Sequence, residues 1–177
     1  MKETILIDNN RLEKIIHRIS NEILESSDNY NELVLIGIKT RGEYLAHRIA
    51  ENINKIKSIN LPLGVIDITF HRDDFSDKFI MPKLGPSNIP FDLNEKNVVL
   101  IDDVLYTGRT IRAAMDEIFS FGRPHKIKLA VIIDRGHREL PIRPDFVGKN
   151  FPTDPNEHII VKMKEIDKTD EIVKVSK

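Results

Sequence analysis

The segment that most constrains the fold runs from Val98 to Thr110. Val98-Val99-Leu100-Ile101 is an unbroken apolar run, the pattern of a strand buried on both faces. It ends on two adjacent acids, Asp102 and Asp103, followed by Val104-Leu105-Tyr106-Thr107-Gly108-Arg109-Thr110. Ile111, Ala114, Met115, Ile118 and Phe119 then recur at helical spacing until Gly122 and Pro124 end the helix. Such a strand delivers its acids to the carboxyl edge of a sheet, where open α/β folds bind their ligands.

The chemistry of that edge follows from the residue types. At the first turn of the helix, unpaired backbone N–H groups and the positive dipole end favour a phosphate. Thr107 and Thr110 add hydroxyl donors, and Gly108 permits close backbone approach. Two carboxylates just ahead of a phosphate cradle suit a ligand with both a sugar and a phosphate, because acids accept hydrogen bonds from ribose hydroxyls. Any one of these residues alone is an ordinary strand end or helix cap; the whole string is harder to explain that way. Other phosphate motifs fail: Gly37 and Gly42 have P-loop spacing, but Glu43-Tyr44 stands where Lys-Ser/Thr is required, and no G-x-G-x-x-G follows a strand.

The rest of the chain repeats the strand–helix theme. After Ile5-Leu6-Ile7, Asp8 is positioned to cap a helix with Leu12, Ile15, Ile16, Ile19 and Ile23 on one face. Leu33 to Ile38 reads as a buried strand, Lys39-Thr40-Arg41-Gly42 as a loop, and Leu45, Ile49, Ile53 and Ile56 as the inner face of a second helix. Residues 64–70 alternate like a half-exposed strand. From about 71 to 93 periodicity is lost among Pro82, Gly85, Pro86 and Pro90, which reads as a lid flanked by two short strand ends. Ile127 to Asp134 is a further strand and Ile159-Ile160-Val161 another. The expected fold is α/β, one domain over 1–177, with a mostly parallel central sheet and helices on both faces.

Composition removes several function classes. There is no cysteine, which excludes disulfides, thiolate catalysis and cysteine-based zinc sites. Lys and Arg number 27 against 28 Asp and Glu, so any nucleic-acid surface must be a local patch rather than a global field. The opening Met1-Lys2-Glu3-Thr4 lacks a signal peptide's apolar stretch and no run is long enough to span a bilayer, so a cytoplasmic protein without membrane contact is expected.

The string 98–110 resembles the signature of type I phosphoribosyltransferases, and the similarity to the PyrR family extends over nearly the whole chain. Asp134-Arg135-Gly136-His137-Arg138-Glu139-Leu140-Pro141 narrows the likeness to PyrR, supported by residues 35–42, Asp67-Ile68-Thr69 with Arg72-Asp73-Asp74, and Val147-Gly148-Lys149-Asn150 with Pro152-Thr153. The resemblance implies a type I phosphoribosyltransferase fold with a flexible lid at about 71–93 and a small hood at about 134–160. It implies a reaction of uracil with phosphoribosyl pyrophosphate (PRPP) to give UMP and pyrophosphate. Asp102, Asp103, Arg41 and Arg72 are then the implied catalytic residues. Lys39, Thr40, Arg41 and Gly42 match the pyrophosphate loop, which in this superfamily often contains a non-proline cis peptide. Asp102 through Thr110, including Val104, Leu105, Tyr106 and Arg109, match the PRPP loop; Arg135 and the backbone near Ile159 match substrate and base contacts. Purine-specific relatives place an acid where Tyr106 stands, which favours a pyrimidine here.

Magnesium is the implied cofactor, held mainly by substrate oxygens near Asp102 and Asp103 with no direct protein ligand assigned. The resemblance also implies a homo-oligomer, a dimer or higher, that binds a leader-mRNA stem-loop in response to uridine nucleotides. Arg18, His137, Arg138, Arg143 and Lys149 are the matching basic positions. His17 and Asn21 depart from the family pattern, where a small hydroxyl residue and a histidine are usual. Two alternatives stay open: a phosphoribosyltransferase, for uracil or another base, without RNA regulation, and a non-catalytic nucleotide-sensing regulator.

Overall fold

A computed structural model describes residues 2–68 and 86–176. The main sheet has five parallel strands in the order β3-β2-β4-β5-β6: β2 is Leu33–Ile38, β3 Leu63–Ile66, β4 Asn97–Leu105, β5 Lys126–Asp134 and β6 Phe146–Asn150. Alternation along the central strands explains its two buried faces. Leu33, Leu35, Val99, Ile101, Ala130 and Ile132 face one core, with Leu12, Ile15, Ile16, Ile19 and Ile23 of α1 (Asn9–Glu25) and Leu45, Ile49 and Ile53 of α2 (Arg41–Lys57). Val34, Ile36, Ile38, Val98, Leu100 and Val131 face the other, with Ile111, Ala113, Ala114 and Ile118 of α3 (Arg109–Phe121). Helices therefore cover both faces, as expected. Asp8 caps α1, its side chain accepting from Arg11 N at 2.9 Å.

Strand order fixes where a ligand belongs. From β2 the chain passes to β3 on one side, while β4 lies on the other side of β2. The loops leaving the carboxyl ends of β2 and β4 diverge, and a crevice opens between them.

A second, antiparallel sheet lies in the order β1-β8-β7, formed by β1 (Lys2–Ile7), β7 (Glu157–Lys162) and β8 (Glu171–Ser176), with the short α4 (Lys164–Asp167) between the last two. Of the stretch 134–160 expected as a hood, β6 joins the main sheet and only β7 enters this one. The physical reason is that β6 pairs in parallel with β5, with Val131 opposite Val147 and Ile133 opposite Lys149. β3 is shorter than the expected 64–70, and its last three residues are buried rather than half-exposed. Val65 N and O bond Asn88 O and N at 2.8 and 2.7 Å, so the outer side of this edge strand is partly covered. Residues 69–85, which include Arg72 and most of the expected lid, lie outside the described residues. No described helix is long and apolar enough to cross a membrane.

Candidate active site

The crevice at the switch point is a cleft of about 690 Å³. Lys39, Thr40 and Arg41 line one side and the unbroken run Asp102 to Ile111 the other, with Ile38, Ile68 and Glu139 between. Two helix N-termini meet here, those of α2 and α3, so two sets of unpaired amides face one space. A cleft so built takes a ligand with two separated anionic groups.

The β2–α2 loop lies hard against β4. A Cβ on Gly42 would sit 2.4 Å from Ile101 O and 3.3 Å from Asp102 Cα, so only glycine lets the loop come this close to the acids. The Lys39–Thr40 peptide is cis and not before proline, the feature the resemblance implied for this loop. Lys39 N donates to Ile66 O at 2.9 Å, and Lys39 Nζ to Pro86 O at 3.2 Å. Arg41 Nη2 donates to both oxygens of Asp167 at 3.1 and 3.2 Å.

Across the cleft, Asp102 is buried and its Oδ1 accepts from Asp103 N at 2.9 Å. Because side chains alternate along β4, Asp102 follows the α3-facing residues and Asp103 those facing α1 and α2. Asp103 accordingly feels the Arg41 charge. Burial, the largest influence, pushes its carboxyl above the usual carboxylate range; the hydrogen bond with the Asp102 side chain and the Arg41 guanidinium pull down without cancelling it. Gly108 turns the chain into α3 with φ of 95°, a left-handed conformation that side chains resist. Thr107 Oγ1 accepts from Arg109 N at 3.3 Å, and Thr107 O takes both Glu139 N and Leu140 N at 3.0 and 3.1 Å.

The segment after β5 buttresses this loop. Arg138 donates to Tyr106 O at 2.7 Å, Ile142 O at 2.9 Å and Asp134 Oδ2 at 2.5 Å. The Arg135 guanidinium lies 3.9 Å from the centre of the Tyr106 ring, a cation–π stack, and its Nε donates to Thr153 Oγ1 at 3.1 Å. Arg109 Nε donates to Glu139 Oε2 at 2.7 Å.

The structure thus gathers Lys39, Thr40, Arg41 and Asp102 through Thr110 around one cleft, with Gly42 packed directly beneath. Arg135 and Ile159 are not among the lining residues. Arg135 is buried beneath Tyr106, and Ile159 packs its side chain into the core from β7. Of the basic positions, Arg18 ties α1 to β6 through Val147 O and Gly148 O at 3.0 and 2.6 Å, and Arg138 is engaged as above. His137 Nε2 meets Thr153 O at 2.5 Å and Lys149 lies 5.6 Å from the Phe151 ring centre, while Arg143 is exposed. A second, more open groove of about 990 Å³ runs between α1 and α2, lined by His17, Arg18, Lys14 and Lys55 among others; none of the loops carrying the acids reaches it. Sequence reasoning missed Glu139 and Asp167. Asp167 meets Arg41 across 126 positions, a separation at which no local pattern carries a signal.

A family model for the phosphoribosyl transferase domain matches residues 3–166. A relative named Bifunctional protein PyrR from Latilactobacillus sakei is 52% identical over 169 residues, covering 94% of each chain. One of the same name from Listeria monocytogenes serotype 4a is 50% identical, covering 99% of this chain and 98% of its own. Among solved structures, a hypoxanthine phosphoribosyltransferase from Staphylococcus aureus superposes with a TM-score of 0.72 at 15% identity, covering 98% of this chain and 92% of that one. The Trypanosoma cruzi enzyme of that name gives 0.70 at 17% identity, covering 98% and 96%. At such identities these structures speak to the fold alone: it is the type I phosphoribosyltransferase fold.

Proposed function

Since this chain belongs to the PyrR family and is a phosphoribosyltransferase, we propose that it joins uracil to the ribose 5-phosphate of PRPP and that its nucleotide-bound form binds a leader-mRNA stem-loop. The observation that carries the enzymatic half is the switch-point cleft, where two helix N-termini flank two adjacent acids. The choice of uracil rests on the likeness to PyrR and on Tyr106 standing where purine-specific relatives carry an acid.

Amides at the start of α3, with the Thr107 and Thr110 hydroxyls, take the 5′-phosphate. Asp102 and Asp103 accept hydrogen bonds from the ribose hydroxyls and steady the positive charge that develops at C1′. The loop 39–42 and Arg41 hold the pyrophosphate. The C1′–O bond to pyrophosphate breaks as the C1′–N1 bond to uracil forms, and the N1 proton passes to solvent as pyrophosphate departs. Magnesium fits this donor set, because it prefers oxygen ligands and Asp102 and Asp103 offer carboxylate oxygens beside the phosphate-binding amides, where substrate oxygens would complete its shell. When bound, it neutralises charge on the leaving group.

The test is direct. Uracil, PRPP and magnesium should yield UMP, with hypoxanthine and guanine poor substitutes, and Asp102→Asn with Asp103→Asn should abolish turnover. Activity retained in that double variant would remove the assigned roles. The regulatory half predicts hairpin binding that UMP strengthens and that falls steeply with salt. Arg143 and Lys149 are its foremost candidates, because Arg18 and Arg138 already serve carbonyls and carboxylates within the protein. Equal affinity for unrelated RNAs would count against regulation. A homodimer or larger oligomer in the cytoplasm completes the reading, and sedimentation analysis checks the assembly.

A further inference from the structure

We propose that Asp167, outside the cleft, is a positioning residue for pyrophosphate binding: it acts through Arg41, and the inference rests on the leaving-group role given to Arg41 above. An arginine at the mouth of an open cleft ordinarily samples many rotamers, and each bond it makes to a ligand must offset the loss of that freedom. Arg41 is not free in this way. Nη2 is held by both carboxylate oxygens of Asp167, at 3.1 and 3.2 Å, and its side chain is 29% exposed.

The anchor is itself fixed. Asp167 ends α4, where its Oδ2 accepts from Met163 N at 2.9 Å and its own N donates to Met163 O at 2.6 Å. α4 is in turn fastened to α2 by Arg48, two turns beyond Arg41. Arg48 Nε and Nη2 donate to Glu165 at 2.9 and 2.6 Å, and Nη2 also to Asp170 at 2.8 Å. The two arginines share one face of α2 and grip one acidic turn.

Direction separates the roles of the two groups that flank Arg41. Arg41 lines the cleft together with Asp102 and Asp103, and its charge acts on Asp103. Asp167 does not line the cleft. It therefore holds the guanidinium from outside the cleft. Arg41 Nε is buried without an acceptor among the described residues, so the protein does not saturate this guanidinium. Asp167 pre-orients the donor while part of its hydrogen-bonding capacity stays unused.

The experiment compares PRPP binding by titration calorimetry, with magnesium, and steady-state kinetics for the intact chain and its variants. Asp167→Asn keeps the shape and removes the charge. It should raise the Kd and KM for PRPP about tenfold, as expected for loss of orientation, and leave the KM for uracil unchanged. Glu165→Gln weakens one tie of α4 to Arg48 but leaves Arg48–Asp170 and the Met163 N bond to Asp167 in place, so PRPP affinity should fall by no more than about twofold. In an Arg41→Ala background, Asp167→Asn should have no further effect. Should Asp167→Asn fail to fold by circular dichroism, Asp167→Glu is read instead, with an intermediate rise in KM for PRPP. Unchanged or tighter PRPP binding in Asp167→Asn overturns the inference; the tighter result would make Asp167 a competitor of pyrophosphate. An equal loss in Glu165→Gln also overturns it, by making the effect a general loosening of α4. If Arg41→Ala itself binds PRPP normally, the leaving-group role of Arg41 fails, a result distinct from failure of Asp167 alone.

Discussion

Gly42→Ala is the most informative single substitution at the cleft. The added methyl would lie 2.4 Å from the carbonyl oxygen of Ile101, whereas real Cβ contacts do not fall below about 3.0 Å. The atom it meets belongs to the backbone of the central strand and cannot swing aside. The β2–α2 loop and β4 must therefore part by at least about 0.6 Å. Overpacking of this kind costs roughly 1–3 kcal/mol. Alanine's better helix propensity returns up to about 1 kcal/mol at this second residue of α2. The net loss of about 0–3 kcal/mol lowers Tm by no more than about 12 °C for a chain of this size. The functional loss should be larger. The displaced residues carry Arg41 on one side and Asp102 on the other, and a shift of this order in groups that must act together lowers kcat/KM for PRPP about 10–100-fold. Urea or thermal melts and steady-state kinetics on the same preparation give both figures. A Gly42→Ala protein with kcat/KM for PRPP within about twofold of wild type would refute the idea that the spacing of these two loops sets the chemistry.

Four further outcomes follow from groups in and near the site. Burial raises the Asp103 carboxyl, so its contribution to stability is present below the unfolded value of about 3.9 and is lost as pH rises through the folded one. Asp103→Asn should accordingly melt higher than wild type at neutral pH while losing activity, with the advantage shrinking in acid; paired melts from pH 3 to 8 check the sign. Asp170, 3% exposed, behaves oppositely: burial alone would raise it, but the hydrogen bonds from Arg48 and Lys164 N and the charges of both residues hold it below its ordinary value. Asp170→Asn should cost about 2 kcal/mol at pH 7, below the roughly 3–5 kcal/mol of a fully buried pair because Arg48 keeps some solvent contact, and the difference should vanish as pH falls through the native titration. Arg138→Ala removes donors to Tyr106 O, Ile142 O and Asp134, and should destabilise by about 2 kcal/mol in chemical denaturation. Arg143→Ala should leave stability unchanged and weaken hairpin binding in a filter or polarisation assay.

The parts of the molecule legible from sequence are those where one local pattern decides the outcome. Val98 to Ile101 could only be a strand buried on both faces, and the structure divides Val98 and Leu100 from Val99 and Ile101 between two cores. Asp8 announced α1, and Gly108 marked the close-approach point just ahead of α3, whereas the packing of Gly42 against β4 carried no signal of its own. β6 was not legible, because Phe146-Val147-Gly148-Lys149-Asn150 is short, carries a glycine and has no apolar alternation to set it apart from a loop. β8 was missed for a related reason: only Ile172 and Val173 are buried in Glu171–Ser176, too little to declare a strand. The Arg41–Asp167 and Arg135–Tyr106 contacts depend on how distant segments are brought together, and neither side chain carries a mark of its partner.

The second sheet has an unusual order of assembly written into it. Its middle strand is β8, flanked by β1 and β7, with Lys2 opposite Ser176 and Glu157 opposite the same residue. During synthesis the strand that joins the other two is therefore the last of the three to leave the ribosome. Until it arrives, β1 and β7 have no neighbour to pair with, although the five parallel strands and both helix tips at the cleft have already been made. A nascent chain can thus complete its phosphate cradle well before this sheet closes, and clipping β8 from the finished protein would again leave β1 and β7 without their shared neighbour.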